Sequence, residues 1–492
     1  MLKNDIKKDN FKTNSTPLQG VRLTHSSVEA SVMDMERRGK QGSLLNRDVH
    51  TSNYTGRCGD KWEGQSFLNQ WLRISLRAQK ENAVFSNLLL HVNEGTLLEA
   101  FNALDGNKAL GVDQVSKSAY RKKLEANIEN LSKRVKNGSY KPQPRKEVLI
   151  PKANGKTRPI AIACFEDKMV DWVVAKLLNQ VFEPTFIRNS FGFRENRSAH
   201  QAIEACYYSL KDNRKPFVVE IDFSNFFNTI AHKKLMRMLE KKITDYKFLG
   251  LVRRFLKSPT LVEGKRNTTT CGTPQGGLMS PILANIYLNE VVDQWFLENY
   301  ASYSNTIVRY ADDAVFFFKK EDDAKKFLKD FKERVSSYGL IINEDKSKAF
   351  SFKKSEFNSF NFLGFTFYWG KTCKRRILKV KTEKTKLLKS INEFYSWVKE
   401  NRNRYKLRII WDTANAKLRG HYNYFGYWMN RPKLNHFYWE AIKSLFKWLN
   451  RRSQKSSYNW ESFKERLKNH PLIEPPELSK LKTLGRKYAY SH

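Results

Sequence analysis

The apolar residues of this chain recur at two spacings, one helical and one extended. Spacings of three and four residues predict helices over residues 117–136, 167–182, 280–298 and 322–338. The first helix is expected to end at Asn137-Gly138, because such a pair is a common helix C-terminus. From Lys379 onward only the helical spacing continues, and we expect only helices there.

Extended segments lie between these helices. EVLIP at 147–151 and RPIAI at 158–162 are joined by a segment that contains an Asn-Gly pair, a strong hairpin signal. PFVVEID at 216–222 predicts a strand, and NTIVRYADDAVFFF at 305–318 predicts a second hairpin. GLIINEDKSK is expected to form a strand and turn, and FNFLGFTFYWG a short strand pair. Because helices and antiparallel strands alternate without βαβ regularity, the predicted fold class is α+β.

Two adjacent carboxylates, Asp312 and Asp313, stand at the tip of the second hairpin, between arms apolar enough to be buried. Aspartate suits turns, which is the ordinary explanation. The alternative is a divalent cation that offsets the repulsion. Asp222, which ends the predicted strand and alone would be a turn former or cap, could complete a set of hard oxygen ligands. Mg²⁺ prefers such ligands together with phosphate oxygens and water.

The net charge of the chain points to a polyanionic partner. Its 89 Lys and Arg against 50 Asp and Glu give +39, a surplus that favours nucleic acid, with anionic membrane as the rival. No apolar run reaches the roughly 20 residues that span a bilayer, and the charged N-terminus shows no secretory signal. Five scattered cysteines without a C-x-x-C pair indicate a reducing compartment, so we expect a cytoplasmic protein without disulfides.

Basic and aromatic residues are concentrated in residues 371–492. This segment has 30 Lys and Arg against 9 Asp and Glu, with six of the 11 Trp and nine of the 21 Tyr. A helix predicted over 434–454 has one apolar face (Phe437, Ala441, Leu445, Leu449) and one basic face (Lys443, Lys447, Arg451). A basic stripe is usually a solvated surface. Here aromatic rings could stack on unpaired bases while the cations hold phosphates, so we expect the segment to bind RNA.

Two weaker signals fit a nucleotide site. CGTPQGG at 271–277 is a glycine-rich turn before a helix, where backbone and the Gln275 amide could meet a nucleotide. Lys152, Lys156 and Arg158 lie on or beside the first hairpin and could clamp a triphosphate. By itself each signal is ordinary, because such loops are mostly turns and such cations are mostly solvated.

The ordered set of motifs resembles the reverse transcriptase/maturase proteins of bacterial group II introns, from about residue 85 to 470. The motifs are GNKALGVDQ, YKPQPRKEVLIPKANGKTRPIAI, SFGFRENRSAHQAI, VVEIDFSNFFNTIAHKKL, CGTPQGGLMSPILANIYL, IVRYADDAVFF, GLIINEDKSK, FNFLGFTF, LRGHYNYFGYW and FKWLNRRSQ. The resemblance implies a right-hand polymerase, with fingers and palm built on antiparallel sheet, followed by an all-helical thumb/maturase region.

The domain boundaries expected from this resemblance divide the chain into four parts. Residues 1–78 would be an N-terminal extension, disordered alone or ordered on a partner. Residues 79–370 would form fingers and palm, 371–470 the helical thumb/maturase RNA-binding region, and 471–492 a basic tail. The zinc-binding endonuclease of some relatives is expected to be absent, since no Cys/His pairs follow residue 470.

The resemblance also implies roles for individual residues. The catalytic residues are Asp222, Asp312, Asp313 and Lys346, the last a candidate to protonate or stabilise pyrophosphate. The metal site, for two Mg²⁺ ions or Mn²⁺, comprises Asp222, Asp312, Asp313 and the backbone of Phe223. Nucleotide contacts come from Lys152, Arg158, Gln275, Gly276 and Phe227, whose ring would exclude ribonucleotides while Phe226 packs in the core. The primer-holding residues are Phe362, Leu363 and Gly364. The RNA-binding residues are Lys443, Lys447 and Arg451.

Two positions depart from the family pattern. Relatives often have an acidic residue where this chain has Asn228, and Gln where it has Asp171. Neither position belongs to the implied metal site. The two departures therefore leave the expected activity in place and put in doubt only the detailed contacts with RNA.

The implied function is an RNA-directed DNA polymerase that binds its parent intron RNA, assists splicing and copies that RNA into DNA. Its partners would be structured intron RNA, a template/primer duplex, target DNA and dNTPs, without a membrane. One alternative is a related polymerase recruited to phage defence or CRISPR adaptation. Another is a basic RNA chaperone with a vestigial site, against which the intact acidic residues count.

Overall fold

The computed structural model describes residues 65–151, 157–262, 265–268, 270–301, 305–373, 375–452 and 458–477, with the side chains of 65–69 left out. The α-helices are α1 (Gln65–Ala78), α2 (Glu94–Ala103), α3 (Lys117–Arg121), α4 (Leu124–Lys136), α5 (Phe165–Phe182), α6 (Ala199–Leu210), α7 (Phe226–Thr229), α8 (His232–Glu240), α9 (Tyr246–Leu256), α10 (Ser280–Leu288), α11 (Trp295–Tyr300), α12 (Glu321–Ser337), α13 (Lys384–Asn401), α14 (Leu407–Phe425), α15 (Arg431–Leu449) and α16 (Trp460–Asn469). A π-helical turn, Asn289–Gln294, joins α10 to α11.

The strands are β1 (Arg145–Pro151), β2 (Thr157–Ile162), β3 (Phe217–Ile221), β4 (Thr260–Val262), β5 (Lys265–Asn267), β6 (Thr306–Tyr310), β7 (Asp313–Phe318), β8 (Lys348–Ser351), β9 (Ser359–Phe362), β10 (Phe365–Lys371) and β11 (Arg376–Thr382). They form a central sheet, β6-β7-β3-β8, and two smaller ones, β2-β1-β4-β5 and β11-β10-β9. The mixed α+β class is as predicted, although β1 and β4 pair in parallel.

The central sheet is covered on both faces, which explains its long apolar runs. On β3, Val219 belongs to a core shared with the N-terminal and middle helices, whereas Val218 belongs to a core shared with β9–β11 and the C-terminal helices. On β7, Phe316 and Phe317 divide in the same way. This alternation follows from the two-residue period of a strand.

The predicted boundary at residue 78 is wrong, because α1 is part of the folded body. Trp71, Ile74 and Ala78 are buried in the first core, at a helical spacing of three and four residues. The Trp71 indole donates to Glu99 over 2.9 Å, and the Lys176 ammonium lies 4.6 Å from its ring centroid. Residues 1–64 of the predicted extension lie outside the described residues.

Other expected boundaries also shift. The segment after Lys371 is not all helical, because Arg376–Thr382 forms β11 and buries Leu378, Val380 and Thr382 on one face. Helix 117–136 is broken between α3 and α4, although it ends at Asn137-Gly138 as predicted. The strand expected within GLIINEDKSK begins only at Lys348, since residues 344–346 form a turn.

No helix within the described ranges combines the length and the apolar character that crossing a membrane requires.

Candidate active site

The acidic turn joins β6 to β7 at one edge of the central sheet. Tyr310 pairs with Asp313, which leaves Ala311 and Asp312 as a two-residue loop. Ala311 has φ +57°, a left-handed conformation that alanine rarely adopts and that needs support from its surroundings.

That support comes from a buried ion pair directly beneath the turn. Arg309 and Asp293 are both 0% exposed, and the guanidinium Nε donates to Asp293 Oδ1 over 2.7 Å. Arg309 Nη1 donates to the Ala311 carbonyl over 2.9 Å and to Asn285 Oδ1 over 3.1 Å. The π-helical turn that carries Asp293 is thereby fixed to the acidic turn.

The segment 189–192 also hydrogen-bonds to the residues that support the acidic turn. It pairs with β6, because Arg309 N donates to the Asn189 carbonyl and Phe191 N to the Arg309 carbonyl, each over 2.9 Å. Asn285 Nδ2 donates to the Gly192 carbonyl over 2.7 Å. A Cβ on Gly192 would lie 2.3 Å from the Ala311 nitrogen, so glycine is required for this approach.

The third carboxylate lies at the end of the neighbouring strand. Ile221 pairs with Ala314, so Asp222 and Asp313 follow one position beyond that pair in the antiparallel register. The backbone of Asp222 is held by Asn343 N, which donates to its carbonyl over 2.8 Å, and by the Ser347 hydroxyl, which accepts from its N–H over 3.1 Å. Lys346 Nζ lies 3.3 Å from Asp222 Oδ2, so the predicted catalytic lysine does meet the first aspartate.

The donor chemistry of these residues fits a hard divalent cation, because carboxylate oxygens are its preferred protein ligands. Within the described part of the chain, however, no group of three or more His, Cys, Asp or Glu side chains is arranged to hold a metal ion. Further ligands from nucleotide phosphates and water would therefore be needed. The Phe223 backbone makes a strand bridge with Ile342.

Four of the five predicted nucleotide residues lie along the glycine-rich loop. Arg158 Nε donates to Gln275 Oε1 over 3.0 Å, and Ala161 N donates to the Gln275 carbonyl over 2.8 Å. Gly276 has φ +107°. On the loop's other side, Thr273 N donates to the Phe227 carbonyl over 2.7 Å.

Phe227 is half-buried beside the loop, whereas Phe226 is 3% exposed and belongs to the core. The two rings contact each other edge to face, with the centroids 5.4 Å apart. They lie on the short helix α7, where the expected extended strand has already ended. The fifth predicted nucleotide residue, Lys152, lies outside the described residues, as does Lys156.

Asp171, a position where the chain departs from the family pattern, is a core residue. Its carboxylate is buried and accepts the N–H groups of Leu278 and Met279, each over 2.9 Å, with Arg145 Nη2 at 3.8 Å. Burial raises its pKa, and Arg145 is the largest opposing influence. Asp171 therefore fixes the end of the glycine-rich loop and is too buried to contact RNA, which corrects the expectation about that position.

The predicted primer-holding residues form the turn between β9 and β10. Phe362 pairs with Phe365, so Leu363 and Gly364 are its loop residues, with φ +49° and +76°. Phe362 and Leu363 are buried. The Tyr424 hydroxyl donates to the Leu363 carbonyl over 3.1 Å, so the C-terminal helix α14 reaches this turn.

The predicted RNA-binding residues fall into two groups. Lys447 and Arg451 join Lys399 and Arg402 around the buried Trp448 ring, at 5.0–5.7 Å from its centroid. We call these four cations the Trp448 basic cluster. Lys443 is apart from it and pairs with Glu440 over 3.0 Å, and Arg451 lies beyond the end of α15.

Comparison with known proteins shows a similarity over the central part of the chain. Residues 150–367 match the family model described as reverse transcriptase (RNA-dependent DNA polymerase). Protein YkfC of Escherichia coli K12 is 36% identical over 195 residues, 39% of this chain and 51% of that protein. Group II intron-encoded protein LtrA of Lactococcus lactis subsp. cremoris is 34% identical over 229 residues, 46% of this chain and 38% of that protein.

An uncharacterized 91 kDa protein in the cob intron of Schizosaccharomyces pombe is 30% identical over 264 residues, 52% of this chain and 32% of that protein. The chain therefore aligns with about half or less of the length of each of these relatives. The family match includes Asp222, the glycine-rich loop and the acidic turn. The resemblance predicted from the motifs is confirmed as a similarity: residues 150–367 match the reverse transcriptase family model, and the chain is similar to a group II intron-encoded protein.

Proposed function

We propose that this protein is an RNA-directed DNA polymerase that binds its parent group II intron RNA, assists its splicing and copies it into DNA during intron mobility. The observation that carries the proposal is the position of Asp222 beside the Asp312-Asp313 turn inside a reverse transcriptase domain. In this proposal residues 79–370 and α1 form fingers and palm, and the helices from α13 onward form the thumb/maturase region.

Asp222, Asp312 and Asp313 would hold Mg²⁺, in a two-ion arrangement, with Mn²⁺ as a substitute and the Phe223 backbone alongside. When bound, the cations activate the primer hydroxyl and offset the charge that develops on the leaving pyrophosphate. Lys346, whose Nζ lies 3.3 Å from Asp222 Oδ2, would protonate or stabilise pyrophosphate. The Arg309–Asp293 pair orients the acidic turn for this task.

The incoming dNTP would lie along the glycine-rich loop. Arg158 and Lys152 bind its phosphates, and Gln275 and Gly276 line its pocket. The half-buried Phe227 ring rejects ribonucleotides, because a ring packed against C2′ leaves no room for a hydroxyl. The Phe362–Gly364 turn holds the primer end.

Intron RNA would bind the C-terminal helices through the Trp448 basic cluster, together with the exposed Lys443. Surface cations that rest against a buried aromatic ring can contact phosphates while neighbouring rings stack on unpaired bases. This RNA, a template/primer duplex and target DNA are the proposed macromolecular partners.

The polymerase proposal is tested with Asp312→Asn, which keeps the shape of the side chain and removes its charge. Extension of a DNA primer on an RNA template with Mg²⁺ should fall by at least about 100-fold, since metal ligands contribute more than the outer-shell groups whose loss costs about 10- to 100-fold. Asp322→Asn, an exposed aspartate in the first turn of α12, is the control and should keep wild-type extension. Undiminished extension by Asp312→Asn would remove the metal-site assignment.

A further inference from the structure

Tyr424, on the C-terminal helix α14, connects two turns of the active site. Its hydroxyl donates to the Leu363 carbonyl over 3.1 Å, and its ring stacks on Phe365 with the centroids 6.4 Å apart. Tyr424 is therefore fixed at both its ring and its hydroxyl to the turn between β9 and β10. No sequence motif predicts this contact, because 61 residues separate the two partners.

The Leu363–Gly364 turn needs such a contact because its backbone is strained. Two-residue hairpin loops with both residues at positive φ normally place Asn, Asp or Gly first, whereas here leucine stands at φ +49°. Glu383 N donates to the Gly364 carbonyl over 2.9 Å. The two carbonyls of the turn are thus held separately, and the side-chain contact to the first is made by Tyr424.

The acidic turn borders the core that this tyrosine contacts: Tyr310 and Ala311 are buried in the core shared with β9–β11 and the C-terminal helices, and Tyr424 packs against that core. Burial, and then the Asp313 carboxylate, raise the pKa of the Tyr424 hydroxyl, so it remains a protonated donor at neutral pH. Tyr310, which pairs with Asp313, also has a raised pKa through burial, then Tyr424 and Asp313. The acidic turn and the turn between β9 and β10 therefore border one core, and Tyr424 packs against it.

The position of Tyr424 itself is fixed by its neighbours. The imidazole of His200, on α6, lies against the Tyr424 backbone. The next residue, Phe425, packs on Phe365 with the ring centroids 5.5 Å apart. Any displacement of α14 would therefore move the Tyr424 hydroxyl relative to both turns.

We propose that Tyr424 is a positioning residue: its hydroxyl holds the Leu363–Gly364 turn at a fixed place relative to the acidic turn and so couples α14 to the site of nucleotide addition. This inference rests on the proposed polymerase function, in which that turn holds the primer end. The coupling sets the alignment of the primer terminus with the acidic turn and leaves the dNTP pocket unchanged, because the hydrogen bonds of that pocket join Arg158 to Gln275 and Phe227 to Thr273.

The test compares Tyr424→Phe with Tyr422→Phe on the same helix. The Tyr422 hydroxyl is buried and has no hydrogen-bond partner among the described residues, so its removal deletes the same atom without losing a bond. Single-turnover nucleotide addition to a preformed primer–template complex gives the maximal rate and the apparent Kd for dNTP. Thermal unfolding of both variants reports on the fold.

Tyr424→Phe should lower the maximal rate about 3- to 10-fold, the effect of one lost hydrogen bond in the transition-state geometry, with an unchanged Kd for dNTP and a Tm lowered by at most about 4 °C. Tyr422→Phe should match the wild type. Equal rates for the two variants, or a loss in dNTP affinity in place of rate, would overturn the positioning role. A wild-type protein unable to extend primers would instead refute the proposed function.

Discussion

The central sheet and the C-terminal helices hold charge in opposite ways. At the acidic turn, Arg309 and Asp293 are fully buried and bonded to each other, and Arg309 also reaches Asn285 and the Ala311 carbonyl. In the Trp448 basic cluster the cations lie at or near the surface and rest on one aromatic ring. The charges of the acidic-turn region fix its internal geometry, whereas the cations of the Trp448 basic cluster remain accessible to a ligand.

The difference has a physical basis in the cost of burying charge. A buried ion pair adds little net stability, but losing one partner is severely destabilising, so the pair strictly specifies the geometry around it. A surface cation over a ring gains only about 0.5–1 kcal/mol and keeps most of its hydration. It therefore remains free to exchange counterions for phosphates, with a strong dependence on salt.

The largest effect is expected from breaking the buried pair. Arg309→Met leaves the Asp293 carboxylate buried without its cation, and should lower the free energy of unfolding by about 3–5 kcal/mol. Urea denaturation measures it. The control is Arg253→Met, because the exposed Arg253–Glu240 pair at 3.8 Å should contribute less than about 1 kcal/mol.

Replacing both partners sharpens the same test. Arg309→Met with Asp293→Leu should be more stable than Arg309→Met alone, since no uncompensated charge remains in the core. If Arg309→Met alone proved as stable as Arg253→Met, the Arg309–Asp293 pair would not be what fixes the structure around the acidic turn.

A smaller effect, on rate more than on stability, is expected at Gly192. Gly192→Ala places a Cβ 2.3 Å from the Ala311 nitrogen, so the acidic turn must move. A displacement of about 1 Å at a reacting centre can cost about 100-fold in rate, and we expect primer extension to fall by about that factor. Gly250→Ala, in α9 with nothing within 4 Å of the new Cβ, is the control and should leave extension unchanged. Equal activity of the two variants would contradict a turn held by close packing.

The mildest change per residue is expected in the Trp448 basic cluster. Replacing Lys399, Arg402, Lys447 and Arg451 by Gln should weaken binding of structured RNA. The slope of log affinity against log salt should fall by about 0.7–0.9 for each lost phosphate contact. The control removes the same number of charges from lysines paired with glutamates: Lys133, Lys241, Lys325 and Lys332. Equal changes in slope would show that only net charge matters.

The elements with a clear repeat were predictable from the sequence. The apolar run at 217–221, the hairpin around Asp312 and the helix over 167–182 all formed as expected, and the predicted apolar face of α15 is buried throughout. In these elements burial follows directly from the two- or 3.6-residue period. The acidic residues were found because they interrupt apolar runs.

The parts that sequence reasoning missed depend on distant partners. Arginine is normally exposed, so nothing local marks Arg309 as a core residue that supports the turn. The sequence predicts helix in place of strand β11 because the lysines of this strand obscure the alternation of Leu378 and Val380. The signal for α1, Trp71 with Ile74 and Ala78, was present but lay in a polar stretch.

The separation of roles between the two regions is tested most directly by measuring DNA synthesis and RNA affinity in the same two variants. Asp312→Asn should lose primer extension and bind structured RNA as the wild type does. The variant in which all four cations of the Trp448 basic cluster are replaced by Gln should bind RNA more weakly. It should nevertheless extend a preformed primer–template complex at the wild-type rate. Parallel loss of both properties in either variant, with the fold intact, would contradict a catalytic centre and an RNA-binding surface that hold their charges for different purposes.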